Sequence, residues 1–298
     1  MNLLYLVFGS NIKNHFQANF SILSFLEHRA GLTSITIVTD APAFYRHLAG
    51  YVTVLPVDEK TLQEWKGEWN FFWRIKIKAL EHVARRFPET PILYLDSDTF
   101  LHGSFPALHE TLRGGTALMH EPEGRLSALG SKTEKLMWSQ TQGRSYGGVP
   151  LTEHHVMWNA GVVGIPARRG LAAIQLALRI CDELSQQQVT PRLIEQFALS
   201  VALAETFGLQ AARPQIGHYW SNKDEWNDHL AAFSLESHLT QRTVEQEVAA
   251  LARFDFNAIP IKKKIKNTRH RLEKLVRQLF PPKEVVYISG TAPTGTGN

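Results

Sequence analysis

Apolar residues fall into short blocks over the first hundred positions, and the period within the blocks alternates. "LLYLVFG" (3–9), "SITIVTD" (34–40), "YVTVLPV" (51–57) and "PILYLD" (91–96) are compact runs rich in β-branched and aromatic residues, which predict strands. Between them, "NHFQANFSILSFLEHRAG" (14–31), "APAFYRHLAG" (41–50) and "WNFFWRIKIKALEHVARRFP" (69–88) carry helical spacing and stop at Gly or Pro. Strands alternating with helices predict an α/β fold with a mostly parallel sheet covered on both faces. Residues 103–157, rich in Gly, Pro, His and Ser, read as long loops around one short strand, "TALMHEP". "VMWNAGVVGIP" (156–166) then returns as a strand. It is followed by helices over 169–188 and 190–208, the second with Thr190 as N-cap, Pro191 at its first position and Gly208 at its end.

The fourth strand ends in "DSD", two carboxylates one residue apart. In extended chain Asp96 and Asp98 face the same way, and in open α/β sheets ligands bind beyond the carboxyl ends of strands. Converging hard oxygens suit Mn²⁺ or Mg²⁺, which cancels the mutual repulsion and can take phosphate oxygens. Two solvated loop acids are the plain alternative. A phosphatase-type D-x-D-x-T pair is another, but Phe100 stands where that motif needs Thr.

Composition adds three constraints. With 298 residues, 44% hydrophobic and 20% charged, the chain can bury a substantial core. A single cysteine, Cys181, excludes an intrachain disulfide and fits a reducing, cytoplasmic compartment. No stretch approaches the roughly 18 apolar residues of a membrane span. The net charge of +4 is uneven: residues 262–283 hold nine Lys or Arg and one Glu, whereas outside 262–284 there are 23 Lys or Arg against 26 Asp or Glu. Ile265, Leu272, Leu275, Val276 and Leu279 recur there at near-helical spacing, so the basic tail reads either as an element for the inner, anionic membrane surface or as a helix packed on the main domain. No aromatic-rich basic platform points to nucleic acid. The expected division is 1–240 as the main domain and 241–298 as the tail, with "SGTAPTGTGN" at its end disordered.

Six blocks in order, "VFGSNIKNHFQANFSILSFLE", "FFWRIKIKALE", "ILYLDSDTF", "WNAGVVGI", "EQFALS" and "IGHYWSNKDEW", resemble the GT-A-fold glycosyltransferases, and most of all glycosyltransferase family 8. The resemblance covers roughly residues 3 to 226. It implies a metal-dependent hexosyltransferase that uses a nucleoside diphosphate sugar, UDP-linked above all, and a glycan or lipid-linked acceptor, with retention at the anomeric carbon. It implies Asp96, Asp98 and His218 as ligands of Mn²⁺ or Mg²⁺, and Lys223 beside the diphosphate. Phe8, Gly9, Ser10 and Ser97 would hold the nucleotide, and Arg74 and Lys78, four apart on one helix face, would reach diphosphate or sugar. Asn159 and Gly161 would meet sugar hydroxyls, and Glu195 and Gln196 would lie under the reacting sugar as the catalytic pair. Glu195 replaces the family's usual Asp, and the last block lacks its Lys-Pro-Trp. A nucleotide-sugar-binding protein without turnover, and a phosphatase or nucleotidyl enzyme using the same aspartates, are the competing functional readings.

Overall fold

The structure, a computed structural model, describes residues 1–263 together with 272, 275, 276 and 278–280. β1 (Asn2–Val7) leads to α1 (Ile12–Leu26), whose N-cap Asn11 accepts from Lys13 N. β2 (Ser34–Thr39), a 3₁₀ segment (Pro42–Leu48) and β3 (Thr53–Pro56) follow. α2 (Glu59–Lys66) and α3 (Arg74–Arg86) precede β4 (Ile92–Leu95).

Beyond Asp98 come β5 (Thr99–Leu101), α4 (Phe105–Arg113), β6 (Ala117–Met119), β7 (Pro122–Arg125) and α5 (Lys132–Thr141). A small ladder of β8 (Ser145–Tyr146) and β9 (Val149–Pro150) is followed by β10 (Val156–Trp158) and β11 (Val162–Ile165). α6 (Gly170–Gln186), α7 (Ile194–Thr206), β12 (Leu209–Ala211), β13 (Ile216–His218), α8 (Lys223–Leu239) and α9 (Val244–Leu251) complete the first unit.

Seven strands form one mixed sheet in the order β12-β6-β11-β4-β1-β2-β3, in which only β11 runs antiparallel to its neighbours. The α/β class and the mostly parallel sheet expected from the alternation are what the structure has. Both faces are apolar, as the unbroken hydrophobic runs require. Leu3, Tyr5, Leu93 and Leu95 face the side packed by α1, α4 and α8. Leu4, Ile92 and Tyr94 face the side packed by α3, α6 and α7.

Four expectations differ from what is seen. The helix expected over 190–208 starts at Ile194 after a 3₁₀ turn (Pro191–Leu193), and Thr190 makes no side-chain cap. The supposed loops of 103–157 contain α4 and α5, each started by a capping serine: Ser104 accepts from Ala107 N, and Ser131 forms a capping box with Glu134. The single strand expected over 156–166 breaks at 159–161, where the Asn159 side chain accepts from Gly161 N at 3.1 Å and turns the chain. The first compact unit runs to Ile261, not to residue 240. Residues 241–261 belong to it because Leu251 and Ile259 are buried and Phe256 stacks on Phe100 at 4.6 Å between ring centroids. Gly217 makes room for this aromatic layer, since a Cβ there would come 2.4 Å from the Phe100 ring.

The second unit covers residues 262–298. Of its apolar stripe, Leu272, Leu275, Val276, Leu279 and Phe280 are 47 to 76% exposed. Ile265 and the terminal "SGTAPTGTGN" lie outside the described residues. Among the described residues no helix is long and apolar enough to cross a membrane.

Candidate functional site

The parallel strands β1, β2 and β4 end on the same edge, and the chain just past each end carries polar residues: Gly9 and Ser10, Asp40, and Asp96. Gly9 has φ +79°, a left-handed conformation that glycine takes without strain. Its N–H donates to Asp40 Oδ1 at 2.9 Å, and its carbonyl meets His15 Nε2 at 2.8 Å.

Two registers bring distant residues to the aspartates. β13 pairs antiparallel with β5 so that His218 stands opposite Thr99, and Tyr219 N donates to Asp98 O at 3.1 Å. β11 pairs antiparallel with β4 with Val162 opposite Leu95, and Asp96 N donates to Gly161 O at 2.8 Å. One ligand atom from each of Asp96, Asp98 and His218 therefore falls within 4.8 Å of the others. Gly161 is part of the construction: a Cβ there would sit 2.1 Å from His218 Cε1.

Electrostatics match the geometry. Asp98 is 3% exposed, and its Oδ2 accepts no well-directed hydrogen bond. That oxygen instead lies 2.9 Å from Lys223 Nζ and 3.4 Å from His218 Nε2. Burial alone would raise the Asp98 carboxyl; His218 and Lys223 more than reverse it and hold it well below the usual carboxylate range. Asp96 Oδ1 accepts from Tyr94 Oη at 2.5 Å and lies 3.5 Å from Lys76 Nζ. A buried, ionised carboxylate beside a second carboxylate and an imidazole is a donor set that fits a divalent cation such as Mn²⁺ or Mg²⁺.

Lys76 is the residue that helix arithmetic on the sequence missed. Its ammonium is buried, donates to Ala160 O at 3.1 Å and pairs with Glu195 Oε1 at 3.0 Å. Burial opposes its charge, but Asp96 and Glu195 outweigh that and raise its pKa. Burial likewise raises the Glu195 carboxyl, with Lys76 working against it. The sequence signal was present: Lys76, Leu80 and Val83 lie on one stripe of α3, and the two apolar members are buried.

Arg74 and Lys78 are not brought to the site. Arg74 forms a two-pronged ion pair with Asp182, at 2.6 and 3.0 Å, and donates to Trp65 O. Lys78 pairs with Glu81 at 2.5 Å. On the opposite flank Ser97 Oγ donates to Gln17 Oε1, whose amide nitrogen donates to Asn227 Oδ1. Phe8 meets Phe72 edge to face, and Phe72 meets Trp73, so exposed rings rim the edge next to Gly9.

A second missed residue is Glu123, on a segment read as loop. Its Oε1 accepts from Asn159 Nδ2 at 3.1 Å and its Oε2 from Gln196 Nε2 at 2.9 Å. Gln196 Oε1 in turn accepts from Ala160 N at 3.3 Å. His218 Nδ1 lies 3.2 Å from Asn159 Oδ1. His120 is buried edge-on to His218, and burial, followed by that neighbour, lowers its pKa to about 3, so it is neutral.

No protein-family model matches the chain, and no curated protein matches it. Among solved structures it is similar to the galactosyltransferase LgtC in complex with donor and acceptor sugar analogs, at 11% identity over 70% of this chain and 73% of that one, TM-score 0.44. It is similar to mouse xyloside xylosyltransferase 1 in its apo form, at 14% identity over 71% and 85% of the two chains, TM-score 0.45. A third likeness is to the apo-form glycosyltransferase GlyE of Streptococcus pneumoniae TIGR4, at 16% identity over 70% of this chain and 44% of that one, TM-score 0.41.

Proposed function

We propose that the chain is a metal-dependent glycosyltransferase of GT-A type that transfers a hexose, with retention, from a nucleoside diphosphate sugar to a glycan or lipid-linked acceptor. The observation that carries this reading is the meeting of Asp96, the buried Asp98 and His218 at the sheet edge, one ligand atom from each lying within 4.8 Å of the others. These three residues would hold Mn²⁺ or Mg²⁺. Such an ion supplies Lewis-acid stabilisation of the charge that develops on a departing diphosphate.

The chain's own residues divide the remaining work. Lys223, 44% exposed at its side chain, adds a positive charge at the rim of the cation site, suited to diphosphate oxygens. Gly9 lets the backbone come close to a nucleotide, and Phe8, Ser10 and Ser97 border the same edge. Asn159, Gly161, Glu195 and Gln196 line the opposite side, where Lys76 neutralises Glu195 and holds Asp96 in place. The amides of Asn159 and Gln196 suit sugar hydroxyls. UDP is the donor group we favour, on the resemblance of the sequence blocks.

Manganese-dependent release of UDP from UDP-glucose or UDP-galactose, lost in Asp98→Ala, is the expected result. Saturable UDP binding without turnover under any acceptor would favour a binding protein. Release of phosphate from simple esters would favour a phosphatase. For the second unit, the +8 balance of 262–283 and the exposed apolar stripe support a cytoplasmic protein held reversibly at an anionic membrane surface, where a lipid-linked acceptor would be met.

A further inference from the structure

We infer that Glu123 is a positioning residue: by accepting from both Asn159 and Gln196 it fixes the direction of two amides and, through Asn159, which nitrogen of His218 is free to bind a cation. The inference rests on the metal-site reading above, and not on the identity of the reaction.

The local fold aims Glu123 at this task. β7 and β10 pair antiparallel with Arg125 opposite Val156 and Gly124 opposite Met157, but the next pair is Pro122 with Trp158. Glu123 is therefore the extra residue of a β-bulge, a device that re-aims a side chain. Gly124, with φ +128°, supplies the backbone freedom beside it. The carboxylate spans the two strands' ends and reaches Asn159 at 3.1 Å with one oxygen and Gln196 at 2.9 Å with the other.

The consequence for His218 follows from donor and acceptor inventory. An ionised carboxylate accepts only, so it selects the –NH₂ side of each amide. With Nδ2 turned to Glu123, Asn159 presents Oδ1 to the Gly161 N–H at 3.1 Å and to His218 Nδ1 at 3.2 Å. With that acceptor facing Nδ1, Nδ1 can keep its proton while Nε2, on the cation side and 3.4 Å from Asp98 Oδ2, gives its lone pair to a cation. A flipped Asn159 would set –NH₂ against the Gly161 N–H and turn the imidazole to the other tautomer, whose Nε2 cannot ligate. Gln196 is locked the same way, its Oε1 held by Ala160 N and its –NH₂ by Glu123. Glu123 is exposed, so its position depends on these bonds and not on packing.

The test compares the full-length protein with Glu123→Gln, which keeps size but offers one acceptor and one donor, and Glu123→Asp, which keeps two acceptors on a shorter stem. Mn²⁺ affinity is measured by calorimetry. Glu123→Gln is expected to lose about 10- to 100-fold in Mn²⁺ affinity, with Glu123→Asp in between. Unfolding curves of all three should superimpose within about 0.5 kcal/mol, as for other exposed substitutions. Wild-type Mn²⁺ affinity in Glu123→Gln overturns the inference. A protein whose Mn²⁺ affinity falls in Glu123→Gln yet which transfers no sugar leaves it standing and defeats only the transferase reading.

Discussion

Lys76 Nζ lies 3.0 Å from Glu195 Oε1, two side chains that are 7% and 10% exposed and 119 positions apart in the chain. The pair ties α3 to the start of α7 and leaves the ammonium 3.5 Å from Asp96 Oδ1. Two acids share one buried lysine, so removing the lysine strands both. Lys76→Met is expected to cost about 3–5 kcal/mol of stability, the usual cost of breaking a buried pair from one side. Adding Glu195→Gln to it should recover much of that loss. Urea unfolding of the single and double variants measures both; an additive double variant would show that the pair is not coupled.

Glu81 explains why Lys78 is not available to a ligand, and it gives a pH signature. Burial would raise the Glu81 carboxyl, but Lys78 and Arg85 outweigh it and depress its pKa below the ordinary 4.5. A carboxyl depressed in the folded state stabilises above its unfolded pKa, and that contribution is lost as pH falls through the lower folded value. Its partners are 27% and 57% exposed, so screening limits the effect to about 1 kcal/mol. Glu81→Gln should therefore be less stable than wild type at neutral pH, with the gap closing as pH falls through the depressed folded-state pKa. Lys78→Ala should leave UDP affinity unchanged.

Gly161 is the position where a single methyl group tests the site. Its Cβ would meet the His218 ring at 2.1 Å, and its φ lies outside the left-handed region, so the strain is steric and not backbone strain. Gly161→Ala should displace His218, lower Mn²⁺ affinity at least about 10-fold and cost about 1–3 kcal/mol through overpacking. Wild-type affinity in this variant would remove His218 from the ligand set.

The second unit is tested by removal. Without residues 262–298 the protein should lose retention on phosphatidylserine vesicles, since each basic residue near an anionic surface contributes about 1 kcal/mol. Donor hydrolysis should be kept. Equal vesicle binding by the truncated protein would contradict the membrane role.

How much of this was legible in sequence depends on the range of the interaction. Asp96 and Asp98 were visible because a two-residue period at the end of an apolar run is local information. Lys76 shares a stripe of α3 with the buried Leu80 and Val83, which is local information, but its partner Glu195 lies 119 positions away, and nothing near Lys76 announces that pairing. Glu123 depends on a bulge, a two-against-one register that no single segment encodes. The helix at α5 is a different case: its S-x-x-E start, Ser131 to Glu134, stood in the sequence, and the surrounding Gly and Ser obscured it.

The central claim is a cation held by Asp96, Asp98 and His218 next to a nucleotide diphosphate. Anomalous scattering from crystals soaked in Mn²⁺ and UDP tests it most directly. The account predicts one strong peak in contact with these three side chains and the diphosphate. A peak elsewhere, or none with UDP bound, would contradict it.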